Sequence, residues 1–343
     1  MAVTKRLTWR AGVAAVAAMI ALTGCGGASD DETETTTKTS DGAFPVTVDH
    51  EFGSTTVKAE PKRIVVAGLT EQDTVLQLGF TPIATTEWYG EQPYAVWPWA
   101  QGMLGDAKPT VLKQTDGPEY EKIASLRPDL IIAVNAGLDK QMYDKLAKIA
   151  PTVAQPKGGT QYFSPWDEQA IQTAKALGKE KEGRQLVADT KAAYAKVAAE
   201  HPEFKGKTAT FSQGLSYDGL LYVYQDGLST EFLTYLGFTI TPGLEKYSEG
   251  PGIQAAIPEE KLDVIDADVI VFATEEAKNL DNLKAMPTFD TLKAVQQNRA
   301  VYTEGTVAGA LYFITPASLM YALDKLTPQL ERAVKGESPQ KVG

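Results

Sequence analysis

The residues able to do chemistry are few and unevenly placed. One cysteine, Cys25, ends the run Leu22-Thr23-Gly24-Cys25, and two histidines, His50 and His201, stand far apart. A lone thiol has no internal disulfide partner, and these three residues offer little material for a His/Cys metal cage. No run of the form GxSxG, HExxH or GxxxxGKS/T occurs, which moves the expectation from catalysis toward binding. The chain does have aromatic clusters. Trp88, Tyr89, Tyr94, Trp97 and Trp99 fall in one run with Gly90, Pro93 and Pro98. Phe163 and Trp166 form a second group with Tyr162, Tyr217, Tyr222 and Tyr224 a third, and Tyr312 stands apart. Packed Trp and Tyr usually mean core. A run with neither helical nor strand period instead suits a loop lining a large flat ligand. The net charge of −11 argues against nucleic acid as a partner and against a broad hold on anionic lipid.

Elements must hold these groups. Lys5, Arg6 and Arg10 precede an uncharged, largely apolar run from Ala11 to Leu22. That run is too short for a permanent membrane span and suits a signal peptide over residues 1–24. Its end resembles the lipobox of bacterial lipoproteins. The resemblance implies that the Cys25 thiol takes a diacylglyceryl group and that cleavage falls just before it. An ordinary secretory signal with a chance cysteine is the alternative. Gly, Ser, Thr, Asp and Glu dominate the stretch from Gly26 to Ala43. This predicts a disordered tether over 25–43 that reaches about 25 Å. No later segment is apolar enough to span, so lipid is the expected anchor, on the outer face of the cytoplasmic membrane.

The body reads as α/β, with two Rossmann-like lobes of mostly parallel sheet over 44–165 and 204–343, and a helical segment over 166–203. Val46 to Val57 alternates as a hairpin, and Ile64 to Ala67 is a short apolar strand. Thr70 to Asp73 has the spacing of a helix cap, for a helix ending at Gly79. Strands and helices alternate through Asp129–Val134 and Lys140–Ile149. The second half repeats the first. Leu78-Gly79-Phe80-Thr81 returns as Leu236-Gly237-Phe238-Thr239, and Glu121 through Ile132 aligns without a gap on Glu260 through Val271. Between the halves, Glu180 to His201 has a helical stripe and predicts a strut of about 33 Å. A strut of that kind limits hinging.

Pro61-x-Arg63-Ile64-Val65, the Leu-Gly-Phe turn, Glu121-Lys122-Ile123-x-x-Leu126-x-Pro128-Asp129, Ile149-Ala150-Pro151-Thr152 and Phe289-x-x-Leu292-x-Ala294-Val295 occur in that order. Together they resemble the iron–siderophore-type substrate-binding lipoproteins, over roughly Phe44 to Arg332. The resemblance implies a class III periplasmic binding protein-like fold, a monomer that captures a metal chelate or tetrapyrrole between its lobes. It implies delivery to a twofold membrane permease of an ATP-driven importer, through one glutamate on each lobe. The matching positions are Glu121 and Glu260. Ordinary solvated carboxylates at helix starts are the plainer reading of each.

Ligands of open α/β lobes bind beyond the carboxyl ends of strands, which points to Leu69, Thr70 and Glu71. In the second lobe it points to loops at Gln213–Asp218 and Glu275. Arg63, Arg127, Arg184, Arg299 and Arg332 fall outside the expected cleft loops, so a multiply anionic chelate has few guanidinium partners. No cofactor and no direct metal ligand is expected. The expected cargo is an Fe(III) chelate of low net charge, a ferric siderophore. Haem is the alternative, with Tyr89, Tyr224 or Tyr312 as axial ligand, and cobalamin stays open. From other classes, an envelope enzyme or a structural lipoprotein remains.

Overall fold

Among the described residues, β-branched runs build two larger sheets and a separate two-stranded hairpin. The computed structural model describes residues 43–115, 117–250 and 252–337. Cys25, the apolar run before it and the tether up to residue 42 lie outside the described residues. An antiparallel hairpin, β1 (Val46–His50) and β2 (Gly53–Val57), comes first. The first sheet holds β3 (Ile64–Val66), β4 (Ala84–Glu87), β5 (Thr110–Lys113), β6 (Leu130–Ile132) and β7 (Thr152–Val153). Its order is β5-β4-β3-β6-β7 and every pair is parallel. Ile64 to Val66 and Leu130 to Ile132 are buried throughout, as strands covered on both faces must be. Helices α1 (Gln72–Gln77), α2 (Pro98–Leu104), α3 (Tyr120–Ser125), α4 (Lys140–Ala147) and α5 (Trp166–Ala176) accompany this half.

The second sheet holds β8 (Thr208–Tyr217), β9 (Leu220–Tyr224), β10 (Thr239–Ile240), β11 (Ala255–Pro258), β12 (Val269–Ala273) and β13 (Ala300–Tyr302). Its order is β11-β9-β8-β12-β13, with β10 beside the start of β8. β9 runs antiparallel to β8 and to β11, and the remaining pairs are parallel. The segment expected as a loop at Gln213–Asp218 is therefore mostly strand. β8 continues to Tyr217 and turns through Asp218-Gly219 into β9, past an irregularity between Ser212 and Ser216. The polar residues there hid the strand because the arm is only partly buried.

The internal repeat is physical. β3 pairs β6 as Ile64↔Leu130, and β8 pairs β12 as Ala209↔Val269. Just before each pair, an aspartate of the second strand accepts from the backbone of the first. Asp129 takes the N–H groups of Lys62 and Arg63, each at 2.8 Å, and Asp268 takes that of Thr208 at 3.0 Å. The Leu-Gly-Phe turns match as well. Gly79 and Gly237 have φ of +82° and +97°, and the Phe80 and Phe238 N–H groups reach back to Val75 and Leu233 oxygens. Only glycine adopts that backbone without strain.

Between the halves runs α6 (Glu180–Glu200), 21 residues, ended by His201 and Pro202. In the second half come α7 (Glu231–Thr234), α8 (Ala277–Ala285), α9 (Lys293–Gln296), α10 (Gly305–Phe313) and α11 (Pro316–Val334). The strut is not the only link. The Tyr194 hydroxyl donates to the Leu319 carbonyl at 2.9 Å, tying α6 to α11. The first half also reaches the second half directly. The Thr315 hydroxyl, at the start of α11, donates to Asp73 of α1 at 2.6 Å. Thr70 does not cap α1 as its spacing suggested. That helix starts at Gln72 without a side-chain cap: the Thr70 hydroxyl accepts from Asn135 Nδ2, and the Asp73 carboxylate is engaged by Thr315 and Trp99.

Candidate functional site

The carboxyl ends of β3, β4, β5 and β6 open onto one cavity of about 830 Å³. Leu69 follows β3, Trp88 follows β4, Gln114 follows β5 and Asn135 follows β6, and all four line it. The opposite wall comes from the second half, with Ser229, Glu231, Tyr312 and Phe313. The lining thus obeys the rule that ligands of open sheets sit beyond the strands' carboxyl ends. A smaller compartment of about 290 Å³ adjoins it, lined by Tyr89, Gln213, Tyr217, Tyr224 and Glu275. Trp88 and Tyr312 line both.

The aromatic residues divide cleanly. Trp88, Phe163, Trp166 and Tyr312 line the larger space, and Trp88, Tyr89, Tyr217, Tyr224 and Tyr312 the smaller. Trp88 is 43% exposed and Tyr217 52%, so both keep free surface for a ligand. Trp97 and Trp99 do not line either space. Trp97 is 3% exposed, stacks on Trp99 at 5.2 Å, and lies where a Cβ on Gly309 would come within 2.3 Å of its ring. The Trp99 indole N–H donates to Asp73 at 2.7 Å. These two tryptophans fill the seam between the halves. Tyr222 lines neither cavity and lies near Tyr217, with ring centroids 6.3 Å apart.

Glu71 is buried, and its carboxylate accepts the Asn135 N–H at 2.6 Å and the Thr70 N–H at 3.1 Å. It joins the loop after β3 to the loop after β6 and borders only a minute gap. Burial pushes its carboxyl above the ordinary range while those backbone donors pull the other way.

The tyrosines bear on chemistry. Burial pushes the hydroxyls of Tyr89, Tyr224 and Tyr312 well above the usual phenol range. At ordinary pH they are neutral phenols that can donate one hydrogen bond and accept others. His50 is buried against Thr55 at 3.0 Å, and His201 pairs with Glu203 at 3.0 Å, so neither imidazole lines a cavity. No arginine lines either space among the described residues. Arg63 donates to the Arg127 carbonyl at 2.9 Å, Arg184 pairs with Glu180 at 2.6 Å, and Arg299 faces Asp268 at 3.4 Å.

Sequence reasoning missed Glu87, Glu91, Gln114, Asn135 and Glu231, which line the larger cavity. Their common signal is position: most stand within a few residues after a strand. Glu121 and Glu260 are both exposed, in the first turn of α3 and in the short helical turn Glu259–Ile265. Each follows the carboxyl end of a strand, β5 or β11, that runs in the sense of its sheet's central strand. No helix among the described residues is long and apolar enough to cross a membrane.

Comparison with known proteins places this geometry. A putative ABC transporter substrate-binding lipoprotein of Bacillus subtilis, YhfQ, is 30% identical over 84% of this chain and 90% of its own length. The Fe(3+)-citrate-binding protein YfmC of the same organism is 31% identical over 74% of this chain and 76% of its own. Among solved structures, a periplasmic solute binding protein from Mycobacterium smegmatis is 40% identical, with a TM-score of 0.78 over 84% of this chain and 98% of the other. PiaA of Streptococcus pneumoniae, solved with ferrichrome, is 26% identical, with a TM-score of 0.72 over 85% and 99%. The model of the periplasmic binding protein family matches residues 64–306, and the chain belongs to that family.

Proposed function

We propose that this protein captures a ferric siderophore in the cleft between its two halves and delivers it to the permease of an ABC importer. The observation that carries the reading is the cavity of about 830 Å³, walled by both halves beyond the strand ends and lined with Trp88, Phe163, Trp166 and Tyr312. Its volume lies within the range of small-molecule sites. The ferrichrome complex of PiaA, in the same fold, supports a chelate as occupant. Lipidation at Cys25 would hold the body outside the cytoplasmic membrane, in line with the relative named as a lipoprotein.

Glu121 and Glu260 are the docking pair in this reading. Equivalent positions on two repeated halves suit a twofold partner, and both glutamates are exposed beside the strand ends that face the cleft. Titration with ferric hydroxamate, catecholate and citrate chelates and haemin, read by thermal shift, tests capture. Binding the native state raises the melting temperature by an amount set by affinity and ligand excess. A ferric chelate is expected to raise it and haemin to leave it unchanged; no response to any ferric chelate sinks the proposal. Reversing both charges, Glu121→Lys with Glu260→Lys, is expected to abolish uptake in cells while the purified protein binds as before.

A further inference from the structure

The wall of the larger cavity is rich in carboxylates and poor in basic groups. Glu87, Glu91 and Glu231 line it and Glu275 lines the adjoining compartment, while Lys113 is the one basic residue on either wall among the described residues. Burial pushes the carboxyls of Glu87, Glu231 and Glu275 above their ordinary range. Glu231 Oε2 is buried and has no hydrogen-bond partner. The charges that Glu231 feels most are Asp167 and Asp226, both of its own sign. Lys191 is the cation nearby, and it is engaged by Asp167 at 2.7 Å.

Two neutral side chains point the same way. Gln114 spends its amide nitrogen on the Ala136 carbonyl at 2.6 Å, which fixes the amide and leaves Oε1 without a partner. Asn135 is 8% exposed, donates from Nδ2 to the Thr70 hydroxyl at 3.0 Å, and has Oδ1 unpartnered. Buried acceptors without donors are costly, and a ligand that supplies N–H groups relieves that cost. A cleft built for a citrate or catecholate complex would show the reverse, with guanidinium groups facing the ligand.

We propose, resting on the transport reading above, that the cavity selects a ferric chelate with a free protonated amine arm. Glu231, which lines the cavity beside Glu87 and Glu91, pairs with the ammonium. The test compares ferrioxamine B, which has a terminal ammonium, with its N-acetylated form, which has none, and with ferric citrate. Quenching of tryptophan fluorescence reports binding, because Trp88 and Trp166 line the cavity. A charge-assisted hydrogen bond predicts that ferrioxamine B binds about tenfold or more tighter than the acetylated form. Glu231→Gln is expected to erase that preference.

Equal wild-type affinity for the two ferrioxamines, or tighter binding of ferric citrate than of either, overturns the inference and leaves the transport reading standing. A preference that survives Glu231→Gln overturns the assignment to that residue. Failure of every ferric chelate to bind overturns the inference and the transport reading together. The wild-type comparison needs no variant, so it decides even where Glu231→Gln folds poorly.

Discussion

Glu71 and Asp73 stand two residues apart at the start of α1, both buried, yet they hold different parts of the molecule together. Glu71 faces the backbone of its own half, where the N–H groups of Thr70 and Asn135 reach its carboxylate. Asp73 faces side chains at the seam, the Trp99 indole of its own half and the Thr315 hydroxyl of the other. In both, burial raises the carboxyl's pKa and hydrogen bonds lower it. One carboxylate builds a lobe and the other joins two. The difference teaches that local burial does not reveal which job a buried acid does; its partners do.

The sharpest way to break this contrast is Glu71→Ala. It orphans two buried backbone donors and opens a small void, for an expected loss of about 4 kcal/mol of stability. Asn135 lines the cavity, so ligand affinity should fall with it even where the protein stays folded. Denaturant unfolding beside a binding titration measures both. A variant as stable as wild type would show that water replaces the carboxylate and that Glu71 does not build the loop.

The two acids also mark what the sequence can and cannot disclose. Periodicity and turn chemistry located β3, β6, the Leu-Gly-Phe turns and the strut, because each depends on neighbours within a few residues. The aligned runs from Glu121 and Glu260 end in Asp129 and Asp268, whose matching roles rest on one strand pairing used twice. Partnership across the chain left no such trace. Trp97 and Trp99 read as a cavity wall because their run lacks a period, yet their burial comes from α10 and the α10–α11 junction, over 200 residues away. Glu71 read as a cleft residue because it follows a strand, and its partner Asn135 stands 64 residues on. Glu231 and Gln114 carried no motif. Their significance lies in unpartnered atoms, which only geometry discloses.

Asp73 gives the next largest effect, and it is a pH effect. Burial pushes its carboxyl up from 3.8 to about 6, against the lowering by Thr315 and Trp99. The folded state therefore holds the proton more tightly than the unfolded state. Its contribution to stability is greatest below the ordinary carboxylate range and is lost as pH rises through about 6. The span is about 3 kcal/mol. Asp73→Asn keeps one oxygen for the two donors and removes the titration, so its stability should change less between pH 4 and pH 7 than that of wild type. Other buried carboxyls slope the same way, and only the difference between the two proteins isolates Asp73. Parallel slopes would show that Asp73 does not titrate in this range.

Thr315→Val gives the smallest effect and bears most directly on the seam. The hydroxyl donates to Asp73 at 2.6 Å and accepts the Ser318 N–H at 3.1 Å, so it both latches the halves and caps α11. Losing the cap and one bond to the acid should cost about 2 kcal/mol. Thr315→Ser keeps both contacts and should stay within about 0.5 kcal/mol of wild type. Cap and latch separate in the background of Asp73→Asn, where the cap remains and the charge on the acceptor is gone. If the latch matters, Thr315→Val costs less in that background than alone, and the coupling measures the inter-lobe bond. Because the hydroxyl lowers the Asp73 carboxyl, its removal should also move the pH window upward. Purely additive losses with an unmoved window would reduce Thr315 to a helix cap and leave the strut and the tryptophan stack to hold the lobes.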